Sequence, residues 1–225
     1  MCFSASASFT VSSVLIPAGA YCFYRAHQIN HRYWVFALYP LIFGIQQALE
    51  GWLWLMLEHP DDISVRIPAL GFIFFSHFFW LIWLPFSCYF LETRGGKKQL
   101  FLIFTLLGGL YGFAMFMPVL IFVDWLEVSL IHNSISYELK LIFDDFTPRS
   151  LARAIYALIV LIPLLLSSQK YVRDFGILIL ISLAAAIILF TEVFISIWCF
   201  FAAIVSLYIL YMVIRWEHDS ARGVE

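Results

Sequence analysis

Long stretches of apolar residues, broken at short intervals by small clusters of polar ones, run the length of the chain. Read by hydropathy, they place membrane-spanning helices near 4–24, 34–57, 67–91, 99–122, 150–168, 175–191 and 194–214. The stretch from Phe175 to Trp216 is almost continuously apolar. It is divided at Thr191 and Glu192, because about 40 residues are twice what one crossing needs. One connection is long, 123–148, and its pattern changes: Ile135, Tyr137, Leu139 and Leu141 alternate with Ser134, Ser136, Glu138 and Lys140, the period of a strand. With the segment from Trp125 to Leu130 before an Asn133-Ser134 turn signal, this predicts a short hairpin lying on the helix ends, where it could cap a pocket.

Composition agrees with the pattern. Of 225 residues, 63% are hydrophobic and only 12% charged, about half the charge usual in a soluble domain. The expectation is an all-α integral membrane protein, a single domain over 1–225 built as a bundle of about seven transmembrane helices. A formal charge of -2 offers nucleic acid no basic surface. The amino terminus lacks the Lys/Arg region of a signal peptide and reads as a retained first helix. Cys22, Cys88 and Cys199 fall inside apolar runs and form no CxxC pair, so no disulfide framework is expected.

Basic residues set the orientation. Arg25, Arg32, Arg94, Lys97, Lys98, Lys170, Arg173, Arg215 and Arg222 flank one side, while Arg66, Lys140, Arg149 and Arg153 lie on the other with most of the acids. The positive-inside rule then puts the amino terminus and the hairpin outside and the carboxyl terminus inside a multi-pass protein of the plasma (inner) membrane.

An ionisable group in hydrocarbon is costly and is by default a functional candidate. Helix 34–57 carries Gln46, Gln47 and Glu50, with Glu50 three and four residues from the two amides, so that they share a face. Helix 67–91 carries His77 in its outer half. Arg153 opens the fifth helix on the same side, and Glu192 lies at the turn before the last. The inner halves hold only hydroxyls: Tyr21, Thr105, Ser87, Ser182 and Ser206. Polar chemistry is one-sided, which suits an outward pocket better than a conduit across the membrane.

Cys2, Glu50 and His77 supply one sulfur, one oxygen and one nitrogen, an open zinc set if water is the fourth ligand. In that reading Glu50 and His77 are the catalytic pair of a membrane-embedded metal-dependent hydrolase or hydratase. Gln46, Gln47, Arg153 and Glu192 bind a small or lipid-derived substrate arriving from the outer side. The alternative is a non-enzymatic receptor, sensor or assembly subunit using the same pocket, or its aromatic-rich helices, to meet a membrane-protein partner or a second copy. A channel or transporter is the third reading. Retinal is excluded as a cofactor, because Lys97, Lys98, Lys140 and Lys170 all lie outside the spans. Seven-helix ceramidase-like and adiponectin-receptor-like hydrolases carry an HxxxH pair in the last helix, and here that helix has no histidine.

Met1-Cys2-Phe3-Ser4 with Ala7-Ser8-Phe9, then Gln47-x-x-Glu50-Gly51 and Ser76-His77, resembles a largely bacterial family of small multi-span membrane proteins beginning Met-Cys-Phe-Ser, a domain of unknown function. The likeness covers most of the chain. It implies an integral membrane protein, supplies no reaction, and draws attention to Cys2, Glu50 and His77.

Overall fold

The computed structural model describes residues 4–57, 62–131, 134–189 and 193–221. Helices account for nearly all of it. In chain order they are α1 (Ala5–Ile29), α2 (Trp34–Ala37), α3 (Tyr39–Leu57), α4 (Asp62–Phe74), α5 (Trp80–Leu91), α6 (Gly95–Ile121), α7 (Arg149–Leu166), α8 (Lys170–Leu189), α9 (Phe194–Val205) and α10 (Tyr208–Ala221). A turn of π-helix, Phe75–Phe79, joins α4 to α5, and the break between α9 and α10 spans two residues, so each pair forms one rod. Six rods are long and apolar enough to cross a membrane: α1, α4–α5, α6, α7, α8 and α9–α10. This is a multi-pass membrane protein.

The expected crossing at 34–57 is the exception. The segment breaks at Leu38 into α2 and α3, and Gln46, Gln47 and Glu50 keep its mean hydropathy below that of the other six. Packing shows where α3 lies nonetheless. Gly19 is against Leu41, Gly44 against Leu15 and Ile16, and Gly51 against Phe9, so α3 runs antiparallel beside α1 over nearly its whole length. At 19 residues it extends about 28 Å. Its polar residues point inward rather than toward lipid, which is how a segment of lower hydropathy is accommodated in an apolar bundle. The division at Thr191 and Glu192 falls on residues outside those described.

Close packing between α5 and α6 depends on one absent side chain. A Cβ on Gly108 would sit 2.0 Å from the Leu81 carbonyl oxygen, whereas one on the neighbouring Gly109 would meet nothing nearer than Ile82 at 3.7 Å. Helix ends are closed by long side chains from neighbouring rods. Arg66 donates to the carbonyls of Val119, Leu120 and Val123 at the end of α6, and Lys97 donates to Leu166 at the end of α7. At the same end as Lys97, one Glu92 oxygen accepts from the Thr93 and Arg94 N–H groups and the other from Ser168 N–H, tying the α5–α6 connection to the α7–α8 connection.

The hairpin is present. Strands β1 (Leu126–Ile131) and β2 (Ser134–Leu139) pair antiparallel, with Val128 opposite Tyr137 and Leu126 opposite Leu139. Ile135, Tyr137 and Leu139 are buried as the alternation predicts, but Ser134 and Ser136 are buried too, because β2 is covered on both faces. The Tyr137 ring stacks on Phe72 of α4 at 4.9 Å. A two-stranded ribbon is marginal alone, and this packing is what anchors it.

Candidate functional site

The site grows from α3. Its inward face holds Gln46, Gln47 and Glu50, all fully buried. Each finds a partner on another turn or another rod: Trp80 Nε1 donates to Gln46 Oε1 at 2.7 Å, Gln47 Nε2 donates to Glu50 Oε2 at 3.3 Å, and Ser196 Oγ of α9 donates to Glu50 Oε1 at 2.5 Å. The amide and carboxylate predicted to share a face do so, three residues apart.

His77 lies in the π turn. That turn inserts one extra residue per cycle, with Trp80 N–H reaching back to the Phe75 carbonyl, and such bulges re-aim side chains at functional places. Gly112 of α6 leaves room for it: a Cβ there would come within about 3 Å of Phe78 Cα and the His77 carbonyl. Ser76 Oγ and His77 Nδ1 are 2.9 Å apart, and both residues are buried.

Between the hairpin and the helix ends is a cavity of about 520 Å³. Its roof is β2, through Ile135, Ser136, Tyr137, Glu138 and Leu139. Its walls are Ser76 and His77, Met115 of α6, Arg149, Arg153 and Tyr156 of α7, and Phe194, Ser196, Trp198 and Cys199 of α9. The size is that of a site for a small organic ligand. A smaller apolar recess of about 30 Å³ lies beyond Tyr156, Trp198 and Cys199, which line both spaces.

Charge at the rim is uneven. Arg149 is engaged, donating to Asp144 Oδ2 at 3.1 Å and to the Leu139 carbonyl at 2.8 Å. Arg153 is exposed and lies over the Phe194 ring at 5.1 Å, with no carboxylate within ion-pair distance among the described residues. Glu138, the one exposed residue of β2, also reaches the cavity. Inside, the indole N–H of Trp198 is buried without a hydrogen-bond acceptor among the described residues.

Of the residues expected from sequence, His77 and Arg153 line this one cavity. Glu50 does not; it stands behind the wall and touches it through Ser196. Gln46 and Gln47 are further back, holding Trp80 and Glu50. Cys2 and Glu192 lie outside the described residues, and so therefore does the full set expected to hold zinc. Among the described residues, no three His, Cys, Asp or Glu side chains gather into a metal-holding group. The roof residues Ile135 to Leu139 are those of the hairpin expected from the alternation, and Ser196 and Cys199 are polar positions at helical spacing after Glu192, whereas nothing in the local pattern marks Trp198. The signal for α7 was available: Arg149, Arg153 and Tyr156 recur at three- and four-residue spacing, which puts them on one face.

A family model described as a family of unknown function (DUF6629) matches residues 1–223. No curated protein and no solved structure matches the chain.

Proposed function

The chain belongs to DUF6629, a family of unknown function, and from that premise we propose that it is a membrane-embedded receptor for an anionic amphiphile, bound under the hairpin. The observation that carries this reading is the cavity of about 520 Å³ whose rim presents Arg153 without an acid partner among the described residues, above aromatic and aliphatic walls. A guanidinium matches a carboxylate or phosphate in geometry as well as charge. Met115, Ile135, Phe194 and the recess beyond Trp198 suit the apolar part of the same molecule. In the assigned orientation, with the basic-rich loops inside, the cavity faces the outer side of the plasma membrane.

The pocket holds its ligand as other small-molecule sites do, by apolar burial with a few polar groups fixing orientation. His77 and Ser196 supply those groups within, and Trp198 N–H offers a donor to a ligand oxygen.

Two measurements test the proposal. Lipid extraction and native mass spectrometry of purified protein should show a co-purifying acidic amphiphile, and a fluorescent fatty-acid or lysophospholipid probe should bind saturably. Removing one charge-assisted bond by Arg153→Gln should weaken that probe roughly tenfold to a hundredfold, from about 1.5–3 kcal/mol. Absence of saturable binding, or equal affinity in Arg153→Gln, would overturn the reading. Elemental analysis of the same preparation examines the metal-dependent alternative: near-stoichiometric zinc lost in Cys2→Ser, Glu50→Gln and His77→Ala would favour a hydrolase or hydratase over a receptor.

A further inference from the structure

Behind the cavity wall is a second group of polar atoms that the ligand reading does not use. Glu50 is fully buried in the bundle, and among the described residues no Lys, Arg or His forms an ion pair with it. A carboxylate so placed needs a compensating positive charge or a proton. Buried polar atoms without a hydrogen-bond partner among the described residues surround it on α3: the N–H donors of Gln46 and Trp54, one helical turn to either side, and acceptor oxygens nearer to it. Gln47 spends its Nε2 on Glu50 Oε2, and the Oε1 of that same amide is buried with no hydrogen-bond donor among the described residues. Ser8 Oγ is likewise buried with no hydrogen-bond partner among them.

Helix packing brings these residues to one level. Along the α1–α3 pair, Leu15 meets Gly44 and Phe9 meets Gly51, so the turn Ser8–Ser12 lies beside the turn Gln47–Gly51. Ser8, Ser12, Leu15 and Gly19 are all buried, which makes Ser8 part of the α1 face that packs inward. From α9, Ser196 Oγ donates to Glu50 Oε1.

We propose that a small monovalent cation, Na⁺, is held against Glu50 by oxygens of Gln47, Ser8 and Ser196. The donor set is all oxygen, which suits a hard cation and not a thiolate- or imidazole-seeking transition metal. One carboxylate among neutral oxygens balances one positive charge. A divalent ion would call for further acids, and none gathers there among the described residues. Ser196 is shared between this site and the cavity wall, so cation binding orders a residue that the ligand would touch. The site itself stands whether or not the cavity takes an amphiphile.

The experiment is thermal denaturation of purified protein in detergent, titrating NaCl against choline chloride at constant ionic strength. A ligand that binds only the folded state raises the melting temperature as its concentration passes its Kd. Wild type should show a sodium-dependent rise, and Glu50→Gln should show none. Because Glu50→Gln could fail to fold, Ser8→Ala is the second variant; it keeps the acid, and its sodium titration should move to roughly tenfold higher concentration for the loss of one oxygen ligand. A wild-type melting temperature indifferent to sodium would overturn the proposal, leaving Glu50 neutralised by a proton, by internal water or by the chain's own amino group. A Ser8→Ala titration superimposed on wild type would overturn the ligand set.

Discussion

At the scale of single residues, the chain separates groups that hold the bundle together from groups that meet the cavity. Glu92 belongs to the first. Burial alone would raise its carboxyl, but the N–H groups of Arg94, Ser168 and Thr93 more than offset this and hold it below the ordinary carboxylate value. Since its folded-state pKa is depressed, its contribution is present above the unfolded value of about 4.3 and is lost as pH falls through the lower folded one. Melting temperature in detergent should therefore drop on acidification below about pH 4, and Glu92→Gln should remove that part of the pH dependence while costing about 1–3 kcal/mol at neutral pH. Glu138 belongs to the second group. If the bound head is purely anionic, Glu138→Gln should tighten binding of the acidic probe by relieving repulsion. A zwitterionic head, held by Arg153 and Glu138 together, would instead bind the variant more weakly, and a binding isotherm decides between them.

At the scale of elements, small residues determine how closely rods approach. Gly108→Ala must push α6 away from the Leu81 carbonyl and should destabilise by about 1–3 kcal/mol. Gly109→Ala meets only ordinary contact at Ile82, and should be neutral or stabilising by up to about 1 kcal/mol through helix propensity. Melting temperatures of the two adjacent variants give a direct comparison. The hairpin is an element that depends on its support. Tyr137→Ala removes the stack on Phe72 and should loosen the roof, so the acidic probe should leave faster while the helical content by circular dichroism is unchanged.

For the molecule as a whole, orientation in the membrane gives a prediction of its own. With the basic-rich loops inside, a cysteine placed at Glu138 should react with a membrane-impermeant maleimide added to intact cells, and one placed at Lys98 should react only after permeabilisation. The opposite pattern would turn the cavity toward the cytoplasm. Cys22, Cys88 and Cys199 are buried, and the labelling is done in a Cys2→Ser background, because Cys2 is the fourth native thiol.

Local regularities determined much of this. The apolar runs located the helices within a few residues, since hydropathy is a property of each segment read alone, and the two-residue alternation of Ile135, Tyr137 and Leu139 located the hairpin for the same reason. Three- and four-residue spacing placed Gln46 and Gln47 beside Glu50. The tertiary structure decided what spacing along one helix cannot: that α3, the least apolar rod, lies against α1, and that Ser196, more than a hundred residues away, is the partner of Glu50. It also decided that His77 and Arg153 share a cavity roofed by β2 while Glu50 stands behind its wall. A helix repeats every 3.6 residues whatever its neighbours are, so its own sequence reveals which side chains lie together on it. Which rod those side chains face depends on how all the rods pack, and that is a property of the assembled bundle.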